Sequence, residues 1–137
     1  MLSKKTKYGL KALTYMAKKG DGRTPILIAE IAEEENISKK FLEMILLQLK
    51  NSGFLGSKKG KGGGYYLLKE PKDITVAALM RVLEGPIAML PCVSLNFYEK
   101  CEDCRTEQEC SLNRVMVEVR DNTLRVLENK TLADLTN

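Results

Sequence analysis

The chain has 137 residues, enough for one hydrophobic core and too few for two ordinary globular domains. Hydrophobic residues make up 44% and charged residues 29%, and charges interrupt every apolar run well short of the ~20 residues that a transmembrane helix needs. The net charge of +4 is too small to identify a nucleic-acid partner by itself.

Three helices are predicted in the first part of the chain. The first covers residues 2–18 and is ended by Gly20-Asp21-Gly22. Pro25 then opens a short extended piece that leads into a short second helix. The turn Asn36-Ile37-Ser38 precedes the third helix, which Ser38 is suited to cap and which Asn51-Ser52-Gly53 terminates. The inward-facing residues of the three helices are Leu10, Leu13, Ala17, Ile28, Ile31, Ala32, Phe41, Leu42, Ile45 and Leu49.

A β-hairpin is predicted next. Residues 54–58 and 65–68 flank a glycine-rich tip from Gly60 to Gly64 that carries Lys61. The order helix, turn, helix and basic hairpin is that of a winged helix-turn-helix domain. The third helix has the right size for a major groove about 12 Å wide, and the glycines of the wing allow close approach to the sugar-phosphate backbone.

A fourth helix is predicted from about Val76 to Glu84, stopped by Gly85-Pro86, and an irregular cysteine-containing segment follows. A final helix of about 18 residues, roughly 27 Å long, completes the chain. We expect this helix to pack against a second copy, because symmetric dimers are the commonest oligomers, although it could fold back on its own domain. Its apolar stripe comprises Leu112, Val115, Met116, Val119, Val126 and Leu127.

The predicted protein is thus mainly α with a small β-hairpin wing. We divide it into a winged-helix DNA-binding domain at 1–85, a cysteine-rich loop at 86–110, and a dimerisation helix with a C-terminal tail at 111–137. The segment Met1-Leu2-Ser3-Lys4-Lys5 is basic but leads into an amphipathic helix rather than an apolar signal core, so we expect a cytoplasmic protein with no membrane partner.

Lysines are concentrated in the first half of the chain, at its start, in the third helix and in the wing, whereas acidic residues gather at 33–35 and 99–109. This separation would give the N-terminal half a basic face suited to double-stranded DNA. Any single lysine run is equally well explained as solvated surface.

The sequence argues against an enzyme. It contains no histidine, so the usual general base is missing. The glycine-rich segment at 56–61 is one residue short of a phosphate-binding loop and lacks the following Ser or Thr. We therefore expect neither catalysis nor a small-molecule substrate.

The four cysteines, Cys92, Cys101, Cys104 and Cys110, follow the pattern C-x8-C-x2-C-x5-C. Four thiolates this close together can converge on one metal centre, and such ligation suits an iron–sulfur cluster or a structural zinc ion. A redox switch made of bare thiols is a further interpretation. A disulfide scaffold would be unusual in a cytosolic chain with a good hydrophobic core.

The chain resembles the Rrf-type winged-helix transcriptional regulators, a family that includes IscR-, NsrR- and CymR-like proteins. The resemblance covers nearly all of the chain and depends on the order of many short motifs. These are Leu2-Ser3-Lys4, Tyr8-Gly9-Leu10, Ile31-Ala32-Glu33, Ile37-Ser38, Phe41-Leu42-Glu43, Gly53-Phe54-Leu55, Ser57, Gly60, Gly63-Gly64-Tyr65, Ile74-Thr75-Val76, Leu83-Glu84-Gly85-Pro86, Cys92 and Thr131-Leu132-Ala133-Asp134-Leu135.

The resemblance implies a homodimer that binds a palindromic operator, with Glu43 accepting a hydrogen bond from a cytosine amine in the major groove. The residues predicted to contact DNA are Lys4, Tyr8, Ser38, Lys39, Lys40, Glu43, Lys50, Lys58, Lys59, Lys61, Gly62, Gly63 and Tyr65. Two positions depart from the family pattern: Lys59 replaces the usual arginine, and Met44 replaces a frequent glutamine but could touch a thymine methyl group.

Sensing members of the family hold an iron–sulfur cluster in this same loop, which implies a [2Fe–2S] or [4Fe–4S] cluster here. Cys92, Cys104 and Cys110 resemble the three usual ligands, and Cys101 would be the fourth. Without a ligand, the polar segment from about 90 to 110 should be mobile, so ligation would couple to local folding. Ordering it would change the spacing of two winged domains relative to half-sites about 34 Å apart.

A less favoured interpretation of the chain is an electron carrier, which would need no basic third helix and wing. Another is a winged helix that binds proteins.

Overall fold

A computed structural model describes residues 2–19 and 22–137; the predicted break at Gly20 and Asp21 lies outside them. Its helices and strands confirm the predicted order of elements. They are α1 (Lys4–Lys18), α2 (Ile28–Glu34), α3 (Lys39–Asn51), β1 (Leu55–Lys58), β2 (Gly64–Leu67), α4 (Val76–Leu83) and α5 (Ser111–Glu128). None of the helices in these ranges is long and apolar enough to cross a membrane.

Polar side chains begin the helices as the sequence predicts. The Ser38 hydroxyl accepts a hydrogen bond from the backbone N–H of Phe41 at 3.4 Å and so caps α3. Thr75 caps α4 in the same way through Ala78, at 3.1 Å. Gly53, with φ of +86°, follows the end of α3 in a left-handed conformation that glycine adopts without steric cost.

The two strands form an antiparallel hairpin in which Leu55 is opposite Leu67 and Lys58 is opposite Gly64. Ile26 extends this small sheet, because it exchanges two backbone hydrogen bonds of 2.9 Å with Tyr65. The wing is therefore fixed to the chain between α1 and α2 rather than projecting from a single hinge.

One hydrophobic core joins α1 to α4 and the base of the wing. Its fully buried large side chains are Leu13, Met16, Ile31, Leu42, Ile45, Leu46, Leu49, Leu55, Leu67, Ile74, Leu79 and Leu132. The predicted inward positions in α3 are confirmed for Leu42, Ile45 and Leu49, while Phe41 is half-buried.

The C-terminal tail after α5 returns to this core, although the sequence groups it with the last helix. Thr131 forms a β-bridge with Thr75, and the N–H of Leu132 donates to the carbonyl of Ile74 at 2.8 Å. Leu132 is completely buried. The tail thus closes the winged-helix domain and anchors the C-terminal end of α5.

Candidate nucleic-acid interface and cysteine centre

The third helix is positioned by the packing of its inner face and of its first turn. Its buried face enters the core, and at its first turn the ring of Phe41 meets the ring of Tyr8 edge-on, with centroids 5.9 Å apart. This contact links α1 to the start of α3. Tyr8, predicted to face DNA, is half-buried here.

Most of the side chains predicted to contact DNA are accessible. The exposed members of that set are Lys4, Ser38, Lys39, Lys40, Glu43, Lys50, Lys58, Lys59, Lys61 and Gly62. The ion pairs found among the described residues involve none of these lysines, so their positive charges are not neutralised there.

Two glycines at the tip of the wing, Gly63 and Gly64, stand where nearby backbone atoms leave no room for a side chain. A side chain at Gly63 would lie 2.2 Å from the carbonyl oxygen of Lys58, and one at Gly64 would lie 2.2 Å from that of Ile26. Gly63 is buried and its N–H donates to Gly60 at 3.0 Å. Gly62, by contrast, is exposed and has open space around its Cα. The tip is therefore a tight turn that presents Lys59 and Lys61 to solvent.

The four cysteines are free, half-buried thiols, and they lie near the N-terminal end of α5. The thiol of Cys104 contacts those of Cys101 and Cys110, and hydrogen bonding with them raises the pKa of Cys104 to about 11. The sulfur of Cys92 accepts a hydrogen bond from the side-chain amide of Asn113 at 3.5 Å. The structure thus brings three of the four thiols into contact, at Cys101, Cys104 and Cys110, and connects Cys92 to the start of α5 through Asn113.

Cys110 is the N-cap residue of α5. Its sulfur accepts a hydrogen bond from the backbone N–H of Asn113 at 3.4 Å, and this bond lowers the pKa of the Cys110 thiol. The positive end of the helix dipole acts in the same direction. Asn113 therefore contacts two cysteines at once, through its backbone and through its side chain, a role that no sequence motif indicates.

The cysteine segment is attached to α5 at a second point. The guanidinium of Arg120 donates to the carbonyl of Val93 at 2.9 Å, and its side chain is only 15% exposed. Val93 is buried, and Tyr98 further along the segment hydrogen bonds to Glu107, which raises the pKa of Tyr98. Cys92 is thus held between two contacts with the same helix.

The donor set suits a metal–sulfur centre, since thiolates are the usual ligands of iron–sulfur clusters and the chain has no histidine. Among the described residues, the thiol of Cys104 contacts the thiols of Cys101 and Cys110. Within residues 2–19 and 22–137, no three cysteine or acidic side chains are arranged to hold a single metal ion as they stand. Ligation by all four thiols therefore requires the segment to close.

The last helix has two apolar faces. Leu124 is buried and lies near Arg81 of α4 and residues 94–97 of the cysteine segment, and Met116 and Leu127 are half-buried. Leu124 is not a member of the predicted stripe, so the sequence prediction missed the buried residue of this helix. Four stripe residues face solvent, with exposed fractions of 52% for Leu112, 53% for Val115, 36% for Val119 and 55% for Val126. Packing of this face against a second copy stays a prediction.

Glu84 joins the beginning of α1 to the end of α4. Its carboxylate accepts hydrogen bonds from the hydroxyl of Ser3 at 2.7 Å and from the buried hydroxyl of Thr6. Hydrogen bonding from Thr6, and then from Ser3, lowers the pKa of Glu84. The contact spans about 80 positions of sequence, so local patterns do not reveal it.

Comparison with known proteins places these features in context. The model of the family described as "Rrf2: Iron-dependent Transcriptional regulator" matches residues 2–137. An rrf2-like HTH-type transcriptional regulator of Rhodobacter capsulatus is 41% identical over 137 residues, covering 98% of this chain and 91% of that protein.

Two solved structures are similar over almost the whole chain. The global cysteine regulator CymR (YrzC) of B. subtilis has a TM-score of 0.80 at 34% identity and covers 99% of this chain and 95% of that chain. The T. potens protein IscR has a TM-score of 0.75 at 30% identity and covers 98% of this chain and 85% of that chain.

Proposed function

Because the chain belongs to the Rrf2 family of transcriptional regulators, we propose that it binds a palindromic operator as a cytoplasmic homodimer and senses through its four cysteines. Its relatives are DNA-binding regulators rather than enzymes, and so is this chain. The observation that supports the sensing proposal is the contact of three thiols, Cys101, Cys104 and Cys110, at the start of α5, where Asn113 also binds Cys92.

The DNA-binding part of the proposal rests on the accessible lysines of α3 and the wing. Lys39 and Lys40 lie in the first turn of α3, next to the cap residue Ser38, which is the part of a recognition helix that approaches base edges. Lys59 and Lys61 lie at the wing tip, where they would contact phosphates.

A salt titration tests this part directly. Affinity for duplex DNA should fall as salt rises, and the slope of log K against log salt should decrease by about 0.9 for each phosphate contact removed. We expect that loss for Lys59→Ala and for Lys61→Ala. Lys72→Ala is the matched control, because Lys72 is an exposed lysine paired with Glu70 outside α3 and the wing. Equal slopes for all variants would remove the wing from the interface.

Dimerisation is proposed through the uncovered face of α5. Leu112, Val115 and Val119 follow the three- and four-residue steps that form the seam of a coiled coil, and Val126 continues it seven residues later, with Asn122 at the position between. Val119 also lines an open groove of about 310 Å³ together with Leu2, Met80 and Met89. Val119 therefore belongs to both the seam and the groove.

Sedimentation or light scattering tests the dimer. Val115→Lys places a charge on the seam and should give a monomer at concentrations where the wild type is dimeric. Glu118→Lys, on an exposed part of α5 outside the seam, is the control and should remain dimeric. A dimeric Val115→Lys protein would refute dimerisation through this face.

For the sensor, we propose that Cys92, Cys101, Cys104 and Cys110 bind an iron–sulfur cluster, either [2Fe–2S] or [4Fe–4S]. When bound, such a group supplies one-electron redox chemistry and sensitivity to oxidants or nitric oxide. The chain supplies four thiolates, with Cys110 already favoured as the thiolate by the N–H of Asn113. Asn113 orients Cys92 through its side-chain amide.

The signal would pass from the cysteines to DNA through α5. Asn113 and Arg120 attach the segment to this helix at points two turns apart, and the helix lies against α4 of the winged domain. Closing the segment would therefore shift α5, the helix that also forms the proposed dimer seam. A change in that seam alters the distance between the two recognition helices.

The first experiment on the sensor is an anaerobic absorption spectrum with iron and sulfide analysis of freshly purified protein. Broad absorbance at about 400 nm with matching iron and sulfide is the expected result. Cys101→Ser should bind the cluster less tightly than the wild type if all four thiolates ligate. A colourless protein without iron or sulfide, even after anaerobic reconstitution, would reject the cluster and leave the DNA-binding proposal intact.

A thiol switch is the second candidate, and one contact favours it. The thiol of Cys104 touches that of Cys110, whose pKa is lowered, so the thiol that ionises more readily lies beside a partner thiol. An oxidant such as a disulfide or peroxide would accept two electrons as the two thiols lose their protons and form an S–S bond. CymR, a similar protein, is described as a cysteine regulator. A mass loss of about 2 Da in iron-free protein treated with oxidised glutathione, absent in Cys104→Ser, would support this candidate.

A further inference from the structure

The outward face of α3 carries two apolar side chains where a solvated helix would have polar ones. Met44 is 60% exposed and Leu47 is 50% exposed, and they lie one turn apart. On the opposite face, four leucine and isoleucine side chains of the same helix are completely buried. The uncovered pair is therefore not an edge of the core, and within the described parts of the chain nothing covers it.

The charges around this pair indicate what kind of partner covers it. Lys40 and Lys50 border Met44 and Leu47 on the same exposed face, and Glu43 is the single acidic side chain of this helix. A second copy placed here would bring lysine against lysine, whereas a polyanion would be attracted. Duplex DNA is the polyanion whose groove has the width of a helix.

Only one base presents an apolar group in the major groove, and that group is the 5-methyl of thymine. Resting on the proposed DNA binding, we propose that Met44 and Leu47 form a reading surface for thymine methyl groups, so that the operator carries thymines at fixed positions in each half-site. Neither side chain donates a strong hydrogen bond to a base edge, so the selectivity is one of apolar contact.

The size of the effect follows from the area of a methyl group. Removing one methylene-sized group from an apolar contact weakens binding about fourfold. Replacing thymine by uracil removes the methyl and leaves the hydrogen-bonding pattern of the base pair unchanged. Replacement by uracil therefore tests the contact with the thymine methyl group and leaves the rest of the base pair almost unchanged.

The experiment begins with selection of tight-binding duplexes from a random library by the full-length wild-type protein. Each thymine of the selected duplex is then replaced by deoxyuridine, one at a time, at fixed salt. We expect an approximately fourfold loss of affinity at one or two thymines of each half-site. In the double variant Met44→Gln/Leu47→Gln, uracil and thymine should bind equally well at those positions.

Leu95→Gln is the matched control, because Leu95 is 61% exposed but lies in the cysteine segment. It should show the same uracil sensitivity as the wild type. Salt-dependent binding of every selected duplex without any uracil sensitivity would overturn the methyl-reading inference and leave DNA binding standing. No salt-dependent binding at all would overturn both. Dissociation of the dimer by the double variant would show that the face is a protein contact instead, and would also overturn the inference.

Discussion

The winged-helix domain and the cysteine segment are stabilised in different ways. In the domain, twelve large side chains are almost completely excluded from solvent and belong to one core. Between residues 86 and 110, only Val93 and Ser94 are buried, while Leu95, Phe97 and Tyr98 are exposed. The segment is held by individual hydrogen bonds to α5, such as those made by Asn113 and Arg120.

This difference matches the proposed roles of the two regions, in which the winged-helix domain binds DNA and the cysteine segment senses. A recognition helix must keep its geometry, and burial of one face of α3 gives it that rigidity. A sensor must change on binding its signal, so its ordering should depend on contacts that are few and local. Four predictions test the comparison, from the largest expected effect to the smallest.

The largest effect is expected in the core. Leu46→Ala removes a completely buried side chain of α3 and should lower the free energy of unfolding by about 2–5 kcal/mol. Leu95→Ala in the cysteine segment, where the side chain is 61% exposed, should change it by less than about 0.5 kcal/mol. Urea unfolding at one fixed protein concentration measures both. Equal losses would mean that the segment is part of the core.

The second effect concerns the wing, which is the most exposed part of the rigid domain. Gly64 has φ of +136° and a side chain there would meet the carbonyl of Ile26, so Gly64→Ala should cost about 1–3 kcal/mol. Gly62→Ala shares the positive φ but meets open space, so its cost should be about 1 kcal/mol. Urea unfolding separates the two variants. If Gly64→Ala proved the milder change, the wing would not be anchored to Ile26.

The elements of the rigid half could be predicted because each depends on local signals. Ser38 is a capping residue directly before an amphipathic run, and Gly53 stands where the run ends. The hairpin follows from two short runs that flank glycines, of which the second contains the β-formers Tyr65 and Tyr66. These signals lie within a few residues of the structure that they determine.

Other features could not be read from the sequence because they depend on distant parts of the chain. The apolar stripe of α5 predicts one buried face, but the buried residue of this helix is Leu124, outside that stripe, while Val115 is uncovered. Which side of α5 is buried depends on where α4 and the cysteine segment lie. Leu132 is an ordinary tail residue in sequence and a core residue in the structure. The exposure of Leu47 is different, because a helical projection of the α3 sequence is enough to predict it.

The third effect concerns the thiols of the cysteine segment in iron-free protein. The pKa of Cys110 is lowered by the N–H of Asn113, whereas that of Cys104 is raised to about 11 by hydrogen bonding with Cys101 and Cys110. At pH 8 the iron-free protein should therefore react with iodoacetamide at Cys110 more than about tenfold faster than at Cys104. Raising the pH through about 11 should narrow the ratio, since Cys104 then ionises too. Peptide mass spectrometry over time measures both rates, and unfolding in urea should make them similar.

The smallest effect is expected where the two regions meet, at Glu84. Its pKa is held below the ordinary 4.5 by hydrogen bonds from Thr6 and Ser3, so its carboxylate stabilises the fold above that pH and the contribution is lost as the pH falls through the folded-state pKa. Glu84→Gln keeps an acceptor for one hydroxyl but removes the charge. We therefore expect the free energy of unfolding near pH 7 to fall by no more than about 1 kcal/mol, a small value because the carboxylate is partly exposed to solvent. Unfolding curves at pH 7 and pH 3 give the comparison. The difference between wild type and variant should shrink at the lower pH, and a difference that stays constant would mean that Glu84 acts through packing rather than charge. Glu84 lies two residues before the cysteine segment, so the result shows whether charge or packing holds α1 to α4 at this end of the domain.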